Sequence, residues 1–166
     1  RKRSDYLRRD DETVIHPLEM LALANEELLE LHVNKYATMV VGCLDYDTNT
    51  LQYSVAGHLP KPVLMKPDHI EYLPGEGMPV GLTPEANYGL EVTALPETFM
   101  LVLMSDGVLE TIEEVDLIER EKTLLARLGG TLAKPGDLIR RLDLGEVTSD
   151  DLADDIAGLF VSRGVG

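Results

Sequence analysis

Phe99-Met100-Leu101-Val102-Leu103-Met104-Ser105-Asp106-Gly107 is the stretch that decides the fold. Its apolar residues follow one another without polar alternation, the mark of a strand buried on both faces. The run stops abruptly at Ser-Asp-Gly. A carboxylate at the end of a buried strand is held rigidly. A glycine beside it lets the backbone turn sharply and leaves room for a ligand. Taken alone, Asp106 reads equally as the cap of a turn or of the next helix, which is the commoner use of Asp-Gly.

Upstream of this strand the chain is rich in strand signals. Residues 36–46 are β-branched and apolar, Asp47-Thr48-Asn49-Thr50 is a turn cluster, and 51–56 is a second strand. Together they predict a hairpin. Residues 62–66 and 69–73 form another pair around Pro67-Asp68, and further strands fall near 88–94 and 99–104, joined tightly by Pro96-Glu97-Thr98. Between them, residues 74–81 are a Gly/Pro-rich loop. Before all of these, Pro17 opens a helix over 17–32, with Leu18, Leu21, Asn25, Leu28 and His32 at helical spacing. Downstream, Ile112, Val115, Ile118 and Leu125 predict a helix within 111–127, ended by Gly129-Gly130. A second helix starts near Pro135, and a final strand covers 156–162. One helix, about six strands, two helices and a strand describe an α+β fold with mainly antiparallel pairing. No linker divides residues 1–166, so a single domain is expected.

Composition narrows the function. The chain has 166 residues, enough for a core without disulfides or structural metal. Thirty acidic residues face fifteen basic ones, a net charge of -15. That field argues against nucleic acid and anionic membranes as partners, and favours divalent cations and basic protein surfaces. A single cysteine, Cys43 in an apolar run, excludes a disulfide framework and a Cys-cluster zinc site. No stretch is apolar enough to span a membrane and no signal core follows Arg1-Lys2-Arg3, so a cytoplasmic location is expected. Residues 1–12 hold five of the fifteen basic residues and read as a charged surface segment. The absence of an initiator methionine suggests a piece of a longer protein.

The candidate chemistry is carboxylate chemistry. Asp150-Asp151 and Asp154-Asp155 precede the last strand, and a bound cation relieves the repulsion of such crowding. In an acidic protein they read equally as a solvated loop. Asp106 and Asp154 are 48 residues apart, on strands that can lie side by side and converge on one cation. Oxygen-only ligands select magnesium or manganese over zinc. His58, in Ala56-Gly57-His58 at the end of a strand, is a candidate proton shuttle or orienter of a carboxylate, or a local loop fastener. His16, His32 and His69 have no partner at ligand spacing. There is no nucleophile elbow, Walker loop, dinucleotide fingerprint or H-E-x-x-H.

In order along the chain stand His16-Pro17-Leu18-Glu19-Met20-Leu21, Asn25-Glu26-Glu27-Leu28, Tyr36-Ala37-Thr38-Met39, Leu51-x-Tyr53-x-x-Ala56-Gly57-His58-Leu59-Pro60, Gly77-Met78-Pro79-Val80-Gly81-Leu82, Leu103-Met104-Ser105-Asp106-Gly107-Val108-x-Glu110 and Asp154-Asp155-Ile156-Ala157. This succession resembles the metal-dependent protein phosphatase 2C-like (PPM) family, in its bacterial sporulation and sigma-factor-regulating branch, over residues 16–162. The resemblance implies two antiparallel sheets packed face to face and flanked by helices. It implies two manganese or magnesium ions, and a water activated by them that attacks phosphoserine or phosphothreonine directly. It makes Asp106 and Asp154 metal ligands, Gly107 the shaper of the turn, and Asp155 the lesser member of its pair. It implies a phosphorylated regulatory protein as partner, such as an anti-sigma-factor antagonist. Gly57-His58-Leu59-Pro60, where many relatives have Asn before proline, is compatible with the output domain of a response regulator.

The family's first motif, Asp-x-x-Gly-His-Gly, has no counterpart before residue 16. The expectation is therefore an N-terminally truncated domain with about half a site. Lost first strands would expose a sheet edge and invite homodimerisation. The alternative is a non-catalytic signalling or adaptor domain on the same fold.

Overall fold

The computed structural model describes residues 16–129, 132, 134–142 and 155–165. Helix α1 (Pro17–Glu30) leads into strands β1 (Met39–Asp45) and β2 (Thr50–Ala56). Then come β3 (Val63–Met65), β4 (Ile70–Tyr72), β5 (Glu91–Ala94) and β6 (Phe99–Met104). Helices α2 (Gly107–Glu110), α3 (Leu117–Leu128) and α4 (Pro135–Arg141) precede the last strand, β7 (Gly158–Arg163). The strands form two sheets, ordered β1-β2-β5 and β4-β3-β6-β7, with every pairing antiparallel. This is the α+β sandwich that the sequence resemblance implies.

Period-two alternation distributes the side chains of β6 between two cores. Phe99 and Leu101 meet Leu51, Tyr53 and Val55 of β2 and Leu64 of β3 between the sheets. Met100, Val102 and Met104 face the other way, onto Val108, Leu109, Leu124, Leu128 and Leu138 of the helices. Both faces of β6 are thus covered, which is why its sequence shows no polar alternation. Helix α1 covers the outer face of the smaller sheet, where Leu21 packs with Ala56 and Val80.

The β1–β2 hairpin forms where the turn cluster stands. The Asp45 carboxylate accepts from the N–H groups of Asp47 and Thr48, at 2.9 and 3.0 Å, and Asn49 takes a left-handed φ of 52°. That geometry fixes the register at Asp45 opposite Thr50. Two features differ from the sequence reading. Strands β5 and β6 flank Pro96-Glu97-Thr98 but lie in different sheets, so this short connection crosses the sandwich. Helix α3 begins at Leu117, later than the apolar spacing predicts. Asp116 caps it, accepting from Ile118 and Glu119 N–H at 2.9 and 3.2 Å. Val115 is left 95% exposed, and Leu124 and Leu128 form the buried face.

The Gly/Pro-rich loop is bolted to α1 by one polar side chain. Buried Asn25 accepts from the Gly81 N–H at 2.7 Å and donates to the Thr83 carbonyl at 3.1 Å. Gly81 has φ +81°, and a Cβ there would run into Leu28 and the Lys35 carbonyl. At the opposite rim, β1 and β7 are each paired on one side only among the described residues. An apolar groove of about 240 Å³ opens between the sheets there, lined by Val40, Leu44, Leu103, Leu159 and Val161 among others. No helix among the described residues is long and apolar enough to cross a membrane.

Asn25→Ala removes a buried donor–acceptor pair and leaves its two backbone partners unsatisfied. It is expected to lower stability by about 2 kcal/mol in urea unfolding. Val115→Ala, at the exposed position, is expected to change it by less than about 0.5 kcal/mol.

Candidate functional site

The site lies where β6 ends. Strand β7 runs antiparallel beside β6, with Met104 opposite Gly158, so the chain entering β7 passes next to Ser105 and Asp106. Ser105 fastens the two segments together. Its N–H donates to the Ala157 carbonyl at 2.9 Å. Its hydroxyl donates to the Asp155 carbonyl at 2.9 Å and accepts from the Ala157 N–H at 2.8 Å. The side-by-side arrangement expected for these two strands is present. Asp154, with Asp150 and Asp151, lies outside the described residues. Asp155 is exposed and holds its place through the Ser105 clamp.

Asp106 stands at the N-cap position of α2, yet its side chain makes no capping hydrogen bond. The carboxylate is exposed, and no described basic residue forms a salt bridge with it. The capping use of Asp-Gly is therefore not the one this structure shows. Gly107 is buried and opens α2 with helical backbone, not with the left-handed φ of Gly57, Gly75 or Gly81. The chain turns at this point by starting a helix.

His58 arrives from the other sheet, just beyond β2. The preceding Gly57 has φ +63° and donates to the Gly77 carbonyl at 2.7 Å, and a Cβ on it would strike Pro79. The imidazole is half-buried, and burial pushes its pKa below the ordinary histidine value. The Met104 carbonyl and the Asp106 carboxylate act on the ring in the opposite direction. Its Nε2 is buried without a hydrogen-bond partner among the described residues. The other histidines lie elsewhere: His32 Nδ1 meets the Glu30 carbonyl at 2.6 Å, and His69 Nε2 is 3.5 Å from Glu71.

Sequence reasoning passed over Ser105. Its signal was a small hydroxyl at the end of a buried strand, some fifty residues before a second acidic segment. Asn25 was legible as the polar member of an apolar helical stripe, but its partners were not.

The fold and this strand-end geometry place the chain among phosphatase 2C-like sandwiches. The description of Stage II sporulation protein E (SpoIIE) matches residues 4–164, and the chain belongs to that family. It is 30% identical over 111 residues to the phosphoserine phosphatase RsbU of Bacillus subtilis (strain 168), covering 66% of this chain and 33% of RsbU. The chain thus spans about one third of that relative's length. The structure of the RsbU and RsbW domains of Rv1364c from Mycobacterium tuberculosis superposes with a TM-score of 0.68, at 24% identity over 94% of this chain and 44% of that one. The phosphatase domain of SpoIIE from Bacillus subtilis, presoaked with Mn, gives 0.57 at 18% identity, over 93% and 75%. These likenesses bear out the resemblance read from the ordered motifs and the sandwich it implied.

The fold family implies divalent cations. Among the described residues no cluster of three or more His, Cys, Asp or Glu side chains forms. What is present fits a hard cation in kind: an exposed carboxylate without a cap bond or salt bridge, at a rigid strand end, beside a second acidic segment.

Ser105→Ala is expected to cost about 1–2 kcal/mol by removing both side-chain bonds of the clamp. Amide exchange at Ala157 is expected to speed up; unchanged protection there would mean that the clamp does not hold the β7 entry.

Proposed function

We propose that residues 1–166 form one metal-dependent serine/threonine protein phosphatase domain. It acts on phosphoserine or phosphothreonine of a regulatory protein, such as an anti-sigma-factor antagonist. The observation that carries this reading is the Ser105 clamp, which sets the uncapped Asp106 carboxylate against the segment that follows Asp154. Asp106 and Asp154 are the cation ligands, with Asp155 and Gly107 supporting them. Two manganese or magnesium ions, when bound, lower the pKa of water and neutralise charge on the phosphoryl oxygens.

The reaction is hydrolysis. A bond forms from the water oxygen to phosphorus, the bond to the seryl oxygen breaks, and a proton ends on that oxygen. Products are the free hydroxyl side chain and inorganic phosphate. This chain's residues contribute fixed negative charge at the strand end, and the clamp keeps that charge from moving as the phosphate approaches. The acidic surface, with a net charge of -15, suits a protein partner with a basic docking face better than nucleic acid or an anionic membrane. A cytoplasmic site of action and a place as response-regulator output belong to the same reading.

The deciding assay measures release of phosphate from a phosphoserine protein and from an aryl phosphate, with and without Mn²⁺. Residues 1–166 are run beside a longer natural chain. Turnover is expected to require Mn²⁺ and to fall about 100-fold or more in Asp106→Asn and Asp154→Asn. Turnover untouched by both changes overturns the proposal, and partner binding that persists in EDTA without any turnover favours an adaptor.

The edges of β1 and β7 and the groove between them also support homodimerisation. Sedimentation of residues 1–166 is expected to show a concentration-dependent dimer. A monomer at all concentrations removes that part of the reading.

A further inference from the structure

We propose that His58 is the positioning residue of Asp106, fixing it across the gap between the two sheets. The inference rests on the reading of Asp106 as a cation ligand and adds a residue that acts through it.

The two residues belong to different sheets. His58 follows β2 of the β1-β2-β5 sheet, whereas Asp106 follows β6 of the other. The main-chain pairing within either sheet cannot set the distance between these strand ends. The His58 ring can, because it reaches the Met104 carbonyl, two residues before Asp106, and lies within the influence of the Asp106 carboxylate. Its own backbone is tightly held. Gly57 is hydrogen-bonded to Gly77, and Pro79 occupies the space where a Cβ would stand. The same loop is bolted at Gly81 to Asn25 of α1. The ring therefore projects from a fixed point on one sheet to the last turn of a fixed strand on the other.

A histidine kept for folding alone would have both nitrogens satisfied, because a buried unpaired nitrogen is costly. Here Nε2 is buried and has no described partner. Phenylalanine or leucine would fill the same space without that cost. An unsatisfied polar atom retained beside an uncapped carboxylate points to a role in the site.

The test uses the longest natural chain that contains residues 1–166, and reads Mn²⁺ affinity by calorimetry without substrate. Asp106→Asn, His58→Phe and His58→Gln are compared with the wild type. Phenylalanine keeps a flat ring but cannot hydrogen-bond, whereas glutamine keeps reach, donor and acceptor. His58→Phe is expected to bind Mn²⁺ about tenfold more weakly or worse, as removal of a group supporting a ligand does. His58→Gln is expected to recover most of that loss. In turnover, kcat should fall in the Phe variant with KM for the phosphoprotein little changed. A purely structural histidine would lower the melting temperature of His58→Phe and leave Mn²⁺ affinity alone, and that result overturns the proposal. So does a Gln variant as weak as the Phe variant. If His58→Phe does not fold, the wild type carries the test through imidazole ¹⁵N spectra. Mg²⁺ is expected to move the His58 Nε2 resonance and leave exposed His32 in place, and an unmoved His58 signal overturns the proposal. If Asp106→Asn binds Mn²⁺ normally, the cation reading of the site fails and this inference falls with it. If Asp106→Asn loses Mn²⁺ and His58→Phe does not, only the role given to His58 fails.

Discussion

The structure depends on the burial of β6 from both sides. Its odd-numbered side chains feed the core between the sheets and its even-numbered ones the core beneath the helices. A strand committed in this way cannot twist or slide without disturbing two sets of packed neighbours at once. Whatever stands at its end inherits that immobility. Asp106 is therefore placed by hydrophobic packing far more than by any polar contact of its own.

A second set of restraints reaches the same spot from the opposite layer. Helix α1 holds the glycine-rich loop through Asn25, and that loop holds the end of β2 through the bond from Gly57 to Gly77. Glycine is required at 57 and 81 for backbone reasons and for reasons of space together: each has positive φ, and each would collide with a neighbour if it carried a Cβ. The loop is thus a spacer of fixed thickness between helix and sheet. The site sits where this polar chain of restraints meets the apolar one that runs along β6.

Much of this was legible in the residues. The unbroken run 99–104 announced a doubly covered strand, Asp47 to Thr50 announced a hairpin, and the ordered motifs announced the family. What escaped had specific physical causes. The start of α3 was misplaced because Val115 and Ile118 fit a helical stripe that tertiary packing does not use, whereas Asp116 with Glu119 three residues on carried the real signal. The crossing between β5 and β6 was hidden because a short connection reads alike whether it joins paired strands or moves between sheets. The meeting of His58 with the end of β6 belongs to no local pattern, since it arises only when two sheets are stacked. Asp154, central to the sequence reading, lies outside the described residues, so its share of the site rests on the register of β7 with β6.

The Ser105 clamp has one more consequence. A serine beside an aspartate at a strand end invites reading as a nucleophile or as a donor to phosphate. A hydroxyl, however, has one proton, and here it is given to the Asp155 carbonyl, with an oxygen lone pair taken by the Ala157 N–H. The hydroxyl rotor is locked. Ser105 can neither attack phosphorus nor turn to greet an incoming anion without first releasing the entry to β7. In this fold the most nucleophile-like side chain at the site is part of the masonry, and the attacking oxygen has to come from solvent.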